Sequence, residues 1–118
     1  MADKLVLYHN PSCSKSRGAD GILQERGVEF ETVRYLDNPL TEAELKDLLD
    51  ILDDPPAALV RKDPHFKELG LNADDYTERD SVAALLAEHP RLMERPVVVK
   101  GDRAVIGRPT ERVQELLG

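Results

Sequence analysis

The stretch KLVLYHNPSCSKSRGADGILQERGVEFETVRYL, residues 4–36, changes its hydrophobic period twice, and those changes decide the fold. KLVLYH (4–9) is a short β-prone apolar run that stops at the turn signal NPS, and it reads as a parallel or central strand. Beyond it Ala19, Ile22, Leu23 and Arg26 fall at helical spacing, with Gly27 placed to end the helix at C′. VEFETVRYL (28–36) reads as a second strand, with Val28, Phe30, Val33 and Tyr35 inward. Strand, helix, strand in so short a space is a βαβ unit, and its two strands are expected to lie parallel.

The other end of the chain supplies the complement. RPVVVKGDRAVIGRP (95–109) predicts a β-hairpin about a Gly-Asp turn, and PTERVQELLG closes as a helix with Val113, Leu116 and Leu117 inward and Gly118 at its end. Between the two units, LTEAELKDLLDIL (40–52) carries a Thr41/Glu44 capping box and a stripe of Leu45, Leu48, Leu49 and Leu52. DDPP (53–56) stops it; AALVRK (57–62) and DPHFKELGL add short helical turns. A further helix starts at Thr77 or Asp80, shows Val82, Leu85 and Leu86 inward, and ends at His89-Pro90. No strand is expected in this middle part. The expectation is one α/β domain over residues 1–118: β-α-β, a helical insert at about 40–90, then β-β-α, on a mixed four-stranded sheet. That order is the thioredoxin-like arrangement.

Composition narrows the function classes. The chain has 118 residues, 41% hydrophobic and 33% charged, which suits one globular domain. No apolar run approaches the roughly 20 residues that cross a bilayer, and the amino terminus has no signal-peptide core. A cytoplasmic location, with reduced thiols and no membrane partner, is expected. The net charge of −7 argues against a nucleic-acid partner but leaves room for a local cluster of arginines around a small anion. One cysteine and three scattered histidines, His9, His65 and His89, do not make a metal site, so no metal and no bound cofactor are expected. No exposed heptad calls for a dimer, and a monomer is the expectation.

Cys13 carries the chemistry. A free cysteine is often a buried small hydrophobe, but Ser12, Ser14, Lys15, Ser16 and Arg17 around this one are all polar, and it stands where a strand hands over to a helix. At a helix start, unpaired N–H groups and the positive end of the dipole favour thiolate, the form that attacks. Lys15, Arg17 and His9 are further sources of positive charge. The spacing excludes two thiol chemistries. A dithiol motif needs a second cysteine where Ser16 stands, and a C-x5-R phosphatase loop needs arginine where Ala19 stands. Turnover at Cys13 therefore borrows a resolving thiol, for which glutathione is the obvious cytoplasmic candidate.

Taken in order, YHNPSCSKSR, LVRKD, ERPVVV and IGRP resemble the glutaredoxin-coupled arsenate reductase family, over essentially the whole chain. The chain resembles a shorter branch of that family, ending at Gly118 straight after the last helix. The resemblance implies that Cys13 is the nucleophile that attacks arsenate, and that Arg61, Arg95 and Arg108 bind the oxyanion. It further implies glutathione as co-substrate, arsenite as product, and glutaredoxin as the partner that clears the glutathione–Cys13 disulfide. By the same resemblance His9 tunes the cysteine and Pro96 is a cis-proline facing it. Several guanidiniums make chemical sense here, since thiolate and arsenate repel each other and arginine offers paired donors with permanent charge.

Some roles stay open at this level. His9 reads equally as a strand-end residue. Ser16 either donates to the thiolate or simply occupies the first helical turn. Arg17, Arg26, Arg34, Arg79, Arg91, Arg103 and Arg112 read as solvated surface charges. Arg95 and Arg108 flank the two outer ends of the hairpin, so pairing brings them together, whereas spacing alone does not bring Arg61 to them. Two other functions compete with the reductase. One is a monothiol glutathione-dependent redox protein, which needs Cys13 but not the arginines; the other is a redox-responsive regulatory binding protein on the same fold, of a type that usually carries C-x-x-C.

Overall fold

A computed structural model describes residues 5–108 and 110–117. Four strands form one sheet in the order β2-β1-β3-β4. They are β1 (Leu5–Tyr8), β2 (Glu31–Val33), β3 (Val97–Lys100) and β4 (Arg103–Ile106). β1 pairs parallel with β2 and antiparallel with β3, and β3 pairs antiparallel with β4. The sheet is therefore mixed, with helices on both faces, and the α/β thioredoxin-like order expected from the sequence is the one observed. Gly101 turns the hairpin at φ +61°, a conformation that glycine adopts without penalty.

The alternation of side chains along the strands sorts the core into two layers. Leu5, Leu7, Val98 and Val105 pack with Ala19 and Leu23 of α1 (Ser14–Glu25), and with Val113 and Leu116. Val97, Ala104 and Ile106 face the other way, onto α2 (Glu42–Ile51) and α4 (Arg79–Glu88). α2 begins as read: Thr41 accepts from the Glu44 N–H and Glu44 accepts from the Thr41 N–H, a complete capping box. Phe66, from the short α3 (Pro64–Glu68), is buried in the same layer. No helix among the described residues is long and apolar enough to cross a membrane.

Four local expectations change. β2 is confined to Glu31–Val33 rather than spanning 28–36, because it is an edge strand with a single neighbour. Past it, the N–H groups of Asp37 and Asn38 bond to the Arg34 carbonyl, so the chain turns and Tyr35 drops into the core. AALVRK is not a helix to its end. A 3-10 turn covers Pro56–Leu59, and Val60 is then extended and bridges Met93. The middle part holds no strand, yet this bridge and another between Leu52 and Ala104 stitch it to the sheet side. α4 starts between the two expected positions, with Glu78 at the cap and Asp80 in the first turn, where its charge meets the positive dipole end.

The closing helix is a 3-10 helix over Thr110–Leu116. Its buried residues, Val113 and Leu116, are three apart, the spacing that brings side chains onto one face at three residues per turn. Pro109 and the Gly118 helix end lie outside the described residues.

Candidate active site

The loop from His9 to Cys13 is tied down almost entirely by local hydrogen bonds. The Cys13 N–H donates to the Asn10 carbonyl at 3.0 Å, and the Ser12 N–H donates to Asn10 Oδ1 at 3.0 Å. The Asn10 N–H donates to Ser16 Oγ at 2.9 Å, and that hydroxyl also lies 2.7 Å from His9 Nδ1. Ser16 is fully buried. Its hydroxyl is thus occupied in anchoring the loop, and its backbone N–H, not its side chain, serves the thiol. His9 is held by Ser16 on one side and, through its own N–H, by the Val33 carbonyl at 2.8 Å.

Cys13 is the N-cap of α1, with φ −98° and ψ 124°. Partial burial pushes its thiol up, but the opposing effects win and the thiol lies below its ordinary range. The backbone N–H of Ser16 stabilises the thiolate most, followed by Arg95 and the N–H of Lys15. Two N–H groups of the first helical turn therefore hold the charge, as a helix amino terminus does for any anion. The charges of Lys15 and Arg17, both exposed, and of His9 are not among the leading causes.

Arg95 and Arg108 come to the sulfur from opposite ends of the hairpin. The last ladder pair is Val97 with Ile106, beyond which the Gly107 N–H donates to the Pro96 carbonyl at 2.8 Å. Arg108 Nη2 lies 3.6 Å from Cys13 Sγ, and its Nε donates to the Arg95 carbonyl at 2.7 Å. The same Nε is 2.9 Å from Glu94 Oε1. Arg108 thus contacts the sulfur with its charge offset by Glu94, while Arg95 stabilises the thiolate more, by hydrogen bonding first and by its charge second. Arg95 forms no ion pair with a carboxylate among the described residues, and its Nε is buried without a hydrogen-bond partner. The peptide bond between Arg95 and Pro96 is cis.

Arg61 arrives by a different route. Its N–H donates to the Leu92 carbonyl at 2.6 Å, and the Glu94 N–H donates to the Leu59 carbonyl at 2.7 Å. This bridge lays Arg61 alongside the segment leading into Arg95. Arg61 makes no hydrogen bond to Cys13; its Nε pairs with Asp63 at 3.1 Å, and its Nη1 is buried with no partner. So the structure brings Arg95 and Arg108 onto the sulfur and leaves Arg61 one segment away with an unused donor.

Three residues were not picked out as part of the site by the sequence. Tyr35, 1% exposed, has a hydroxyl without a well-directed hydrogen bond. Burial raises its pKa, against the pull of Arg95 and Asn10 beside it. Glu94 and Asn10 shape the site as described. Asn10 precedes a proline, a familiar turn signal, and Glu94 adjoins Arg95, but nothing in the sequence marks Tyr35 beyond its inward position.

Gly107 explains part of the IGRP string. A Cβ on it would stand 2.8 Å from Pro96 Cγ and 3.2 Å from Val113 Cγ2, contacts that a packed interior does not absorb. Gly107→Ala is expected to destabilise the fold by about 1–3 kcal/mol, the usual scale of overpacking. Urea denaturation reads this, and a midpoint equal to that of the unaltered protein would mean the turn yields freely.

The ArsC family model matches residues 8–116. The arsenate reductase of Neisseria meningitidis serogroup A, strain Z2491, is 41% identical over 116 residues, covering 97% of this chain and 98% of that protein. An uncharacterized protein of Escherichia coli K12, YfgD, is 43% identical over 120 residues, covering all of both chains. Among solved structures, an arsenate reductase from Vibrio cholerae superposes with a TM-score of 0.87 at 39% identity, over 98% of this chain and 99% of that one. The match runs from the strand that precedes Cys13 to the helix that follows Arg108, and on that footing the chain belongs to the ArsC family.

Proposed function

We propose that this protein reduces arsenate to arsenite, with glutathione as reductant and glutaredoxin as the partner that restores Cys13. The Cys13 thiolate attacks arsenic, an As–O bond breaks, and water leaves once that oxygen is protonated. The product is a Cys13–S–As(V) ester. A glutathione thiolate then attacks the Cys13 sulfur. The S–As bond breaks with its electron pair going to arsenic, which becomes As(III) and departs as arsenite, and the two sulfurs are left as a mixed disulfide. Glutaredoxin exchange with a second glutathione returns the thiol.

One observation carries this reading: the buried Arg95 Nε has no acceptor beside a thiolate held at a helix start, and one segment away the buried Arg61 Nη1 has none either. Buried donors without acceptors are rare, and a tetrahedral oxyanion supplies acceptors in all directions. Arg95 and Arg108 offset the approach of one negative group to another, and Arg61 completes the cradle from the side. The relatives called arsenate reductases support the same substrate.

The test is arsenate-dependent NADPH oxidation with glutathione, glutathione reductase and glutaredoxin. Turnover is expected to need arsenate and glutaredoxin together. If Cys13 exchanges with glutathione while arsenate elicits no oxidation, the protein is a monothiol redox protein instead.

A further inference from the structure

A pocket of about 140 Å3 opens beside the Cys13 loop, lined by Asn10, Leu36, Asp63, His65, Arg91 and Arg95. Two of these residues belong to the site already described, since Asn10 holds the Cys13 N–H and Arg95 acts on the sulfur. The outer wall is separate from it. Arg91 is exposed, in a 3-10 turn over Pro90–Leu92, and makes no ion pair among the described residues. Other surface arginines are paired: Arg79, Arg103 and Arg112 sit on Asp50, Asp53 and Asp54. The one carboxylate in the pocket is committed, because Asp63 accepts from the Phe66 N–H at 3.1 Å and pairs with Arg61 at 3.1 Å. The uncompensated charge of the pocket is therefore positive, on a chain of net charge −7.

We propose that this pocket holds a carboxylate end of the small anionic thiol that resets Cys13, and that Arg91 selects anionic over neutral thiols. The inference rests on the reading of glutathione as reductant. That thiol approaches an acidic protein and an adduct that is itself negative, so a guanidinium outside the oxyanion cradle offsets the repulsion. Arg108 is tied to Glu94, Arg61 to Asp63, and Arg95 faces the thiolate. Lys15 and Arg17 are exposed on α1 and do not line this pocket, so within it the charge left over is Arg91. The size fits one end of such a molecule, since cavities that enclose a whole drug-sized ligand run to roughly 300–1,000 Å3. Because Asn10 and Arg95 line both places, the pocket adjoins the Cys13 site, and on this proposal the terminus of a thiol at Sγ lies there; two residues of extended chain reach roughly 7 Å.

The experiment uses disulfide exchange without arsenate. The Cys13 thiolate attacks oxidised glutathione, the S–S bond breaks, one glutathione stays on Cys13 and the other leaves as thiolate. The rate is measured against that with neutral 2-hydroxyethyl disulfide, for the unaltered protein, Arg91→Ala and Arg91→Lys. In Arg91→Ala the ratio of the two rates is expected to fall about fivefold, the upper end for a solvent-exposed charge pair. Arg91→Lys retains the ratio, and high salt removes the difference by screening. A ratio unchanged in Arg91→Ala overturns the proposal. Failure of the arsenate assay in the unaltered protein would sink the reductase reading alone, because the exchange is read with no arsenate present.

Discussion

Cys13→Ser is expected to reduce arsenate-dependent NADPH oxidation to background, a loss on the order of 10⁴-fold or more, as for removal of a nucleophile in other enzymes. The chemistry is more severe than a weaker nucleophile. Serine has no sulfur to accept the attack of glutathione, so the electron pair that reduces arsenic has no route out of the enzyme. The fold has no reason to suffer. Cys13 caps α1 with extended backbone, and serine is a preferred residue at that place. Thermal melting of the variant should therefore match or slightly exceed that of the unaltered protein. A stable Cys13→Ser protein that still turns over arsenate would remove Cys13 from the mechanism.

The units that hold Cys13, Arg95 and Arg108 were legible because each depends on local chemistry. The Gly101 turn fixes the hairpin, ladder pairing fixes its register, and register brings positions 95 and 108 side by side. The thiol at a helix start follows from a strand, a turn and a helix read in sequence. Arg61 was different. Its place depends on Val60 bridging Met93, a contact across thirty-odd positions of helical insert, and no periodicity announces one isolated bridge. Ser16 shows a second limit. The sequence left two places for its hydroxyl, on the thiolate or merely on the first helical turn, whereas the folded loop spends that hydroxyl on Asn10 and His9 and turns the backbone N–H to the sulfur. Which of two polar groups on one residue does the work is decided by loop geometry that residue types leave open.

Arg95→Ala has the second-largest expected effect, a fall of about 10²- to 10³-fold in kcat/KM for arsenate, the usual cost of losing a preorganised charge partner. It should exceed the effect of Arg108→Ala, because Glu94 already offsets Arg108 while Arg95 has no carboxylate partner among the described residues. Arg95→Lys is not expected to restore the rate, since a point charge cannot replace a planar pair of donors. The variant carries its own signature in the thiol. Burial pushes Cys13 up, and the Ser16 N–H, Arg95 and the Lys15 N–H bring it below its ordinary range, so removing Arg95 moves the pKa upward. Alkylation by iodoacetamide followed against pH reads the shift directly. Between the two pKa values the unaltered protein is mostly thiolate and the variant mostly thiol, so alkylation there is slower in the variant, and the rates converge at high pH. A pH profile that stays in place while turnover falls would assign Arg95 to arsenate alone; a profile and a turnover that both stay in place would remove it from the site.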